Sequence, residues 1–149
     1  MSDRSLKLQK RLKSDRICTL IAMGLTVLMA LLELIKFIQF GDAELLRNFI
    51  QWGIGAACLF ILFRLLKRID VTGKPFDDST IRHLRAIAFT LLIGTPVAYA
   101  VEIFVNMIKD NMTEVHFSFA MPMVAVFIGI ISEIFVYGKE LQEDNDLIA

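Results

Sequence analysis

The chain has 149 residues, 56% of them apolar, with 16 basic side chains against 16 acidic ones and a formal net charge of zero. Its mean hydropathy is +0.60, and its charges sit in blocks between long apolar runs. That pattern excludes a disordered chain, a disulfide scaffold and a small soluble domain, which must spread polar residues through every element to cover its surface.

Residues 1–16 form a basic arm carrying Arg4, Lys7, Lys10, Arg11, Lys13 and Arg16. Residues 17–40 follow with Glu33 and Lys36 as their charged side chains. About 20 predominantly apolar residues suffice to cross a bilayer, so this stretch reads as a spanning helix. A cleaved signal peptide fits less well, because the apolar run exceeds the usual length of about 7–15 residues and no small-x-small site follows it. Three further spans are expected: 49–66, with Arg64 as its charge; 84–108, with Arg85 at its start and Glu102 inside; and 117–137, with Glu133. The expected fold class is all-α, an integral membrane four-helix bundle forming one domain over residues 1–149, with an acidic tail at 138–149. Gly53 with Ala57, and Gly94 with Ala98, have the small-xxx-small spacing that lets helices approach closely. Pro96 and Pro122 predict kinks within their helices.

Lys and Arg give the orientation. Besides the arm, Lys67, Arg68, Lys74 and Arg82 lie in the second connection, whereas the first and third connections hold Arg47 and Lys109. By the positive-inside rule both termini and the middle loop face the cytoplasm. Cys18 falls at a cytoplasmic helix end and Cys58 within a span, so no structural disulfide is implied.

Ionisable groups within the hydrocarbon are costly and face a partner, the bundle interior or water. At about 1.5 Å per residue, Glu33 and Glu102 lie about 7 Å outward from the midplane. Lys36 sits a turn beyond Glu33 on the same face, and Arg64 and Glu133 fall in the cytoplasmic half. Two depth-matched groups are therefore expected, Glu33, Lys36 and Glu102 outside and Arg64 with Glu133 inside. One reading makes them ion pairs that lock helix register, or cations that snorkel to an interface. The other makes a proton or cation site of whichever carboxylate, Glu33 or Glu102, remains after Lys36 pairs with its neighbour.

No constellation for catalysis is present. His83 and His116 belong to loops on opposite sides, and no Gly-rich phosphate loop, HExxH or CxxC occurs. Asp110, Glu114 and His116 match no established metal-ligand spacing and read as a solvated loop. Asn111-Met112-Thr113 forms a glycosylation sequon on the outer side. A non-enzymatic protein with no catalytic residue, cofactor or metal is expected.

In the middle loop Gly73 and Pro75 mark a turn, and Asp77, Asp78 or Ser79 is placed to cap the third helix. A Phe76 in so polar a loop predicts packing against something. The tail carries Glu140, Glu143, Asp144 and Asp146 against Lys139. Glu133, Tyr137, Glu140 and Asp144 share helical spacing, so the fourth helix is expected to project beyond the bilayer and end near Asn145. The tail acids either fold back onto the basic arm and loop or offer a negative surface to a basic partner.

Two of these segments carry a family resemblance. Residues 72–88 (TGKPFDDSTIRHLRAIA) and 133–147 (EIFVYGKELQEDNDL) resemble the G-x-P-F loop and the E-[IV]-F-x-x-G-x-x-L-Q-x-[ED]-N-D-L ending of a bacterial membrane family called domain of unknown function 2975. The final Ile148 and Ala149 depart from the Thr and Val with which members often finish. The resemblance implies a four-helix protein of the bacterial cytoplasmic membrane, frequently encoded beside a small helix-turn-helix regulator of the Cro/CI type, and no known activity. The matched positions are Gly73, Pro75, Phe76, Glu133, Phe135, Gly138, Leu141, Gln142, Asn145, Asp146 and Leu147. Gly73, Pro75, Phe76, Gly138, Leu141, Gln142, Glu143, Asn145, Asp146 and Leu147 form the expected partner-binding surface. The leading functional expectation is a membrane regulator that binds and sequesters such a basic regulator, without itself contacting nucleic acid. The alternatives are a small proton- or cation-coupled transporter or channel subunit working through Glu33 and Glu102, as a homo-oligomer, and an accessory subunit of a larger membrane complex.

Overall fold

The computed structural model describes residues 3–72, 76–109, 115 and 117–148, apart from the side chains of 3–9, 72 and 145–148. They form four helices, α1 (Asp3–Phe40), α2 (Ala43–Thr72), α3 (Asp78–Ile108) and α4 (Ala120–Ile148). All four are long and apolar enough to cross a membrane, and the chain is an all-helical, multi-pass membrane protein. The shortest has 29 residues, about 43 Å at 1.5 Å per residue, so every helix exceeds the hydrocarbon thickness of about 30 Å and has polar ends to spare.

Helix ends depart from the expected spans in an informative way. The basic arm is no separate segment, because α1 runs without a break from Asp3 into the apolar stretch. Six positions carrying Lys or Arg do not stop a helix, since both residues have high helix propensity. Helix α2 begins at Ala43, ahead of the apolar run expected from residue 49, and α4 begins at Ala120 rather than 117. The α1–α2 connection is tight. Gly41 adopts φ +68, a left-handed conformation that glycine enters without a steric penalty, and its N–H donates to the Phe37 carbonyl at 2.7 Å. The Asp42 carboxylate then accepts from the Glu44 N–H at 3.4 Å, capping α2.

Short connections make chain neighbours antiparallel. Helix α1 packs on α2, α2 on α3 and α3 on α4, and among the described residues no other pair of helices approaches closely. The expected four-helix bundle is thus open, a row of helices in chain order. The start of α1, the end of α2, the start of α3 and the end of α4 lie at one end, called here the terminal end. The 41–42 turn, the end of α3 and the start of α4 lie at the other, the turn end.

The core sits among the last three helices, where Cys58, Ile87, Leu91 and Ala125 are buried with Ile54, Ile61, Leu62 and Ile128 packed on them. In α3 the buried positions include Ile87, Leu91, Thr95, Ala98, Glu102 and Asn106, a stripe at spacings of three and four residues. A Cβ on Gly94 would lie 2.7 Å from Ile54 Cδ1, so this glycine lets α2 and α3 meet, and Ala98 below it is fully buried. The Gly53–Ala57 pair is not used in this way. Nothing lies within 4 Å of a Cβ built on Gly53, and both residues are exposed. Helix α3 continues through Pro96. Cys18 and Cys58 are free thiols.

Candidate functional site

Polar groups gather at two places along this row. At the turn end, Arg47 on α2 is the organising residue. Its Nη1 donates to Glu102 Oε2 on α3 at 3.0 Å and its Nη2 to Glu44 Oε1 at 2.9 Å. The Arg47 and Glu102 side chains are only 12% and 6% exposed, which makes this a buried ion pair between helices. The guanidinium also lies 5.3 Å from the ring centroid of Tyr99. Tyr99 in turn accepts a hydrogen bond at its hydroxyl from the Ser118 N–H at 2.8 Å and packs on Phe117. The residues that lead into α4 are thereby tied to α3.

This geometry corrects the depth-matched grouping of Glu33, Lys36 and Glu102. Lys36 Nζ donates to Glu33 Oε1 at 3.2 Å within α1, while Glu102 turns to Arg47. The reason is topological: α1 and α3 are not packing partners, so equal depth does not bring Glu102 to α1. Both carboxylates have a cation, and neither is left over in the sense expected. Glu33 nevertheless keeps one buried oxygen, Oε2, without a hydrogen-bond partner. By hydropathy Arg47 falls in the first connection, because the apolar run begins after it. The signal that places it in a helix was available, in Asp42 as a cap and in the three-residue spacing from Glu44 to Arg47.

The expected pairing of Arg64 with Glu133 is also absent. Glu133 accepts from Arg85 Nη2 on α3 at 2.9 Å, and the exposed Arg64 lies 5.6 Å from the ring centroid of Phe60 on its own helix. Helices α2 and α4 are separated by α3, so the neighbour supplies the partner.

At the terminal end, the 76–77 segment and α4 form a clasp. The Phe76 ring packs on Phe135 with centroids 5.2 Å apart, and a Cβ on Gly138 would meet Phe76 Cδ1 and Cε1 at 2.8 Å. Gly138 is therefore the gap into which the ring fits, and the packing expected of Phe76 occurs within the chain. Lys139 Nζ donates to Asp78 Oδ1 at 2.8 Å and pairs with Glu143 at 3.4 Å. Asp77 occupies the cap position of α3, yet its carboxylate makes no capping bond and meets Arg68 at 3.1 Å instead.

Among the described residues the tail acids do not fold back onto the arm or loop. Helix α4 continues to Ile148, beyond the end expected near Asn145, and Glu140 and Asp144 are exposed. Of the expected partner-binding residues, Leu141 and Glu143 are exposed and Gln142 half-buried on this projection. Gly73 and Pro75 lie outside the described residues, as do the side chains of Asn145, Asp146 and Leu147 and the loop residues Asp110, Glu114 and His116. Among the described residues no group of three His, Cys, Asp or Glu is arranged to hold a metal.

A model of the family described as protein of unknown function (DUF2975) matches residues 49–148. The chain belongs to this family. The matched segment contains the α2–α4 core, Glu102 and both halves of the clasp, while α1 with Glu33 and Lys36, and the first turns of α2 with Arg47, precede it. In the clasp, Phe76 touches both Phe135 and Gly138. Neither a curated protein nor a solved structure matches the chain.

Proposed function

We propose that the chain is a non-enzymatic protein of the bacterial cytoplasmic membrane, with both termini cytoplasmic. Its cytoplasmic face binds a small basic helix-turn-helix regulator and withholds it from DNA. The observation that carries this reading is the end of α4, where Glu140 and Asp144 are exposed and make no ion pair with any described residue. A helical projection bearing unspent negative charge is complementary to a surface evolved for phosphates, and competes with DNA for it. Phe76 and Gly138 then act as the scaffold that aims the projection, with Leu141, Glu143 and the following turn as the contact surface. The test is co-purification of the solubilised protein with a small basic helix-turn-helix regulator of the Cro/CI type from the same genome. Retention is expected to be lost on Glu140→Lys with Asp144→Lys, which leaves the clasp intact. Retention unchanged by the double reversal would overturn the reading.

A transport reading is favoured by one observation, the partnerless buried oxygen of Glu33, since an unsatisfied carboxylate oxygen in an apolar setting is a place for a proton or cation. Because Glu102 is engaged by Arg47, this reading narrows to Glu33. Flux in proteoliposomes that is insensitive to Glu33→Gln would remove it.

A further inference from the structure

The α1–α2 interface at the terminal end holds a cleft of about 520 Å³ lined by Lys13, Arg16, Ile17, Leu20, Phe63 and Asp70. Its lining changes character with depth. Along α1, Lys13 and Arg16 come first and Ile17 and Leu20 follow toward the membrane interior, a rise of about 10 Å from Lys13 to Leu20. Asp70 and Phe63 repeat that order on the antiparallel α2. The cleft is thus charged at its mouth and apolar below.

Arg16 is held in place within it. Its Nη1 donates to Asp70 Oδ2 at 2.8 Å, and its guanidinium carbon lies 5.7 Å from the Phe63 ring centroid. Its Nε is buried and has no hydrogen-bond partner. Leaving a buried donor on a charged group unmatched is costly. A planar guanidinium fixed by one carboxylate and one ring has its remaining N–H groups set for a second anionic group with oxygens to offer. Lys13 makes no ion pair among the described residues. Two cations against one carboxylate leave the mouth with a single positive charge in excess. Lys10, one turn before Lys13, and Lys67, four residues after Phe63, add to that field by helical spacing.

The geometry points to a binding site for one anionic glycerophospholipid, with its phosphodiester at Lys13 and Arg16 and an acyl chain along Ile17, Leu20 and Phe63. A phosphodiester supplies the negative charge that Asp70 alone does not provide against Lys13 and Arg16. The apolar floor distinguishes a lipid from a soluble phosphate, which has nothing to place against Leu20 and Phe63. A zwitterionic lipid brings a cation that the bases at the mouth repel. Basic pockets between spanning helices at a membrane surface are a recurrent form of such recognition.

The test uses the full chain in dodecyl maltoside, titrated with dioleoyl phosphatidylglycerol or dioleoyl phosphatidylcholine and followed by thermal unfolding and by native mass spectrometry. Phosphatidylglycerol is expected to raise Tm and remain bound as one molecule, and phosphatidylcholine to do neither. Lys13→Gln is expected to weaken the effect about fivefold, the factor for one basic side chain near an anionic lipid. The triple variant Lys13→Gln, Arg16→Gln, Asp70→Asn, which keeps the Arg16–Asp70 contact polar but neutral, is expected to lose it. Arg82→Gln removes a base from the same end but outside the cleft and is expected to have no effect. Equal responses of the wild type to the two lipids would overturn the proposal, whether or not the variants fold. An Arg82→Gln effect as large as that of Lys13→Gln would do so too, by assigning the preference to diffuse surface charge. Equal stabilisation by soluble glycerol phosphate would show that the apolar floor contributes nothing, and would overturn the lipid assignment.

Discussion

The two polar centres use the same chemistry with opposite physical weight. At the turn end, Arg47 and Glu102 are withdrawn from solvent and surrounded by Tyr99, Glu44 and apolar helix surface. At the terminal end, Lys139 and Asp78 lie 2.8 Å apart but the Asp78 side chain is 68% exposed. A buried pair is held by mutual need, because either partner alone is an uncompensated charge in a low dielectric, whereas an exposed pair is screened and nearly dispensable. The clasp must therefore owe its strength to the Phe76 ring seated on Gly138 and Phe135, and the ion pair beside it only orients the contact.

The largest effect is expected at the buried pair. Arg47→Ala should destabilise the detergent-solubilised protein by about 3–5 kcal/mol in chemical or thermal unfolding, since it strands Glu102. Arg47→Met combined with Glu102→Leu should recover most of the loss, and a double variant as unstable as the single one would show that the pair is needed for more than mutual compensation. An intermediate effect is expected in the clasp. Gly138→Val forces a branched side chain against Phe76 and should cost about 1–3 kcal/mol, with partial recovery when Phe76→Ala removes the obstacle. Without that recovery, the ring would not be what Gly138 accommodates. The smallest effect is expected from Lys139→Gln, which should leave Tm within error at moderate salt because its partner is solvated. A clear loss would reverse the ranking of ring and charge at this end.

How far each centre was legible follows from the range of the interactions involved. Four helices, and their apolar stretches, follow from hydropathy alone, because a bilayer demands internal backbone hydrogen bonding over a fixed length. Phe76 was legible as a residue in need of a packing partner, since an aromatic ring in a polar loop is anomalous by itself. Its partner, Gly138, was visible only as a motif position. Glu33 and Glu102 were recognisable as buried charges, and Lys36 does serve Glu33 because three residues along a helix make neighbours without any tertiary information. Glu102 was matched by depth to the wrong helix. Hydropathy leaves Arg47 in a connection because apolarity begins after it, whereas Asp42 caps α2 ahead of it.

By itself, then, the sequence determined what is local or imposed by the solvent: helix number, approximate spans and the identity of the groups too polar for lipid. Tertiary structure decided which helix meets which. Since α1 packs on α2 and α2 on α3 in open order, Arg47 rather than Lys36 neutralises Glu102, and Arg85 rather than Arg64 meets Glu133. Equal depth is a property of one helix and a membrane, whereas contact depends on the rotation and order of helices about one another, which is set by packing among all of them.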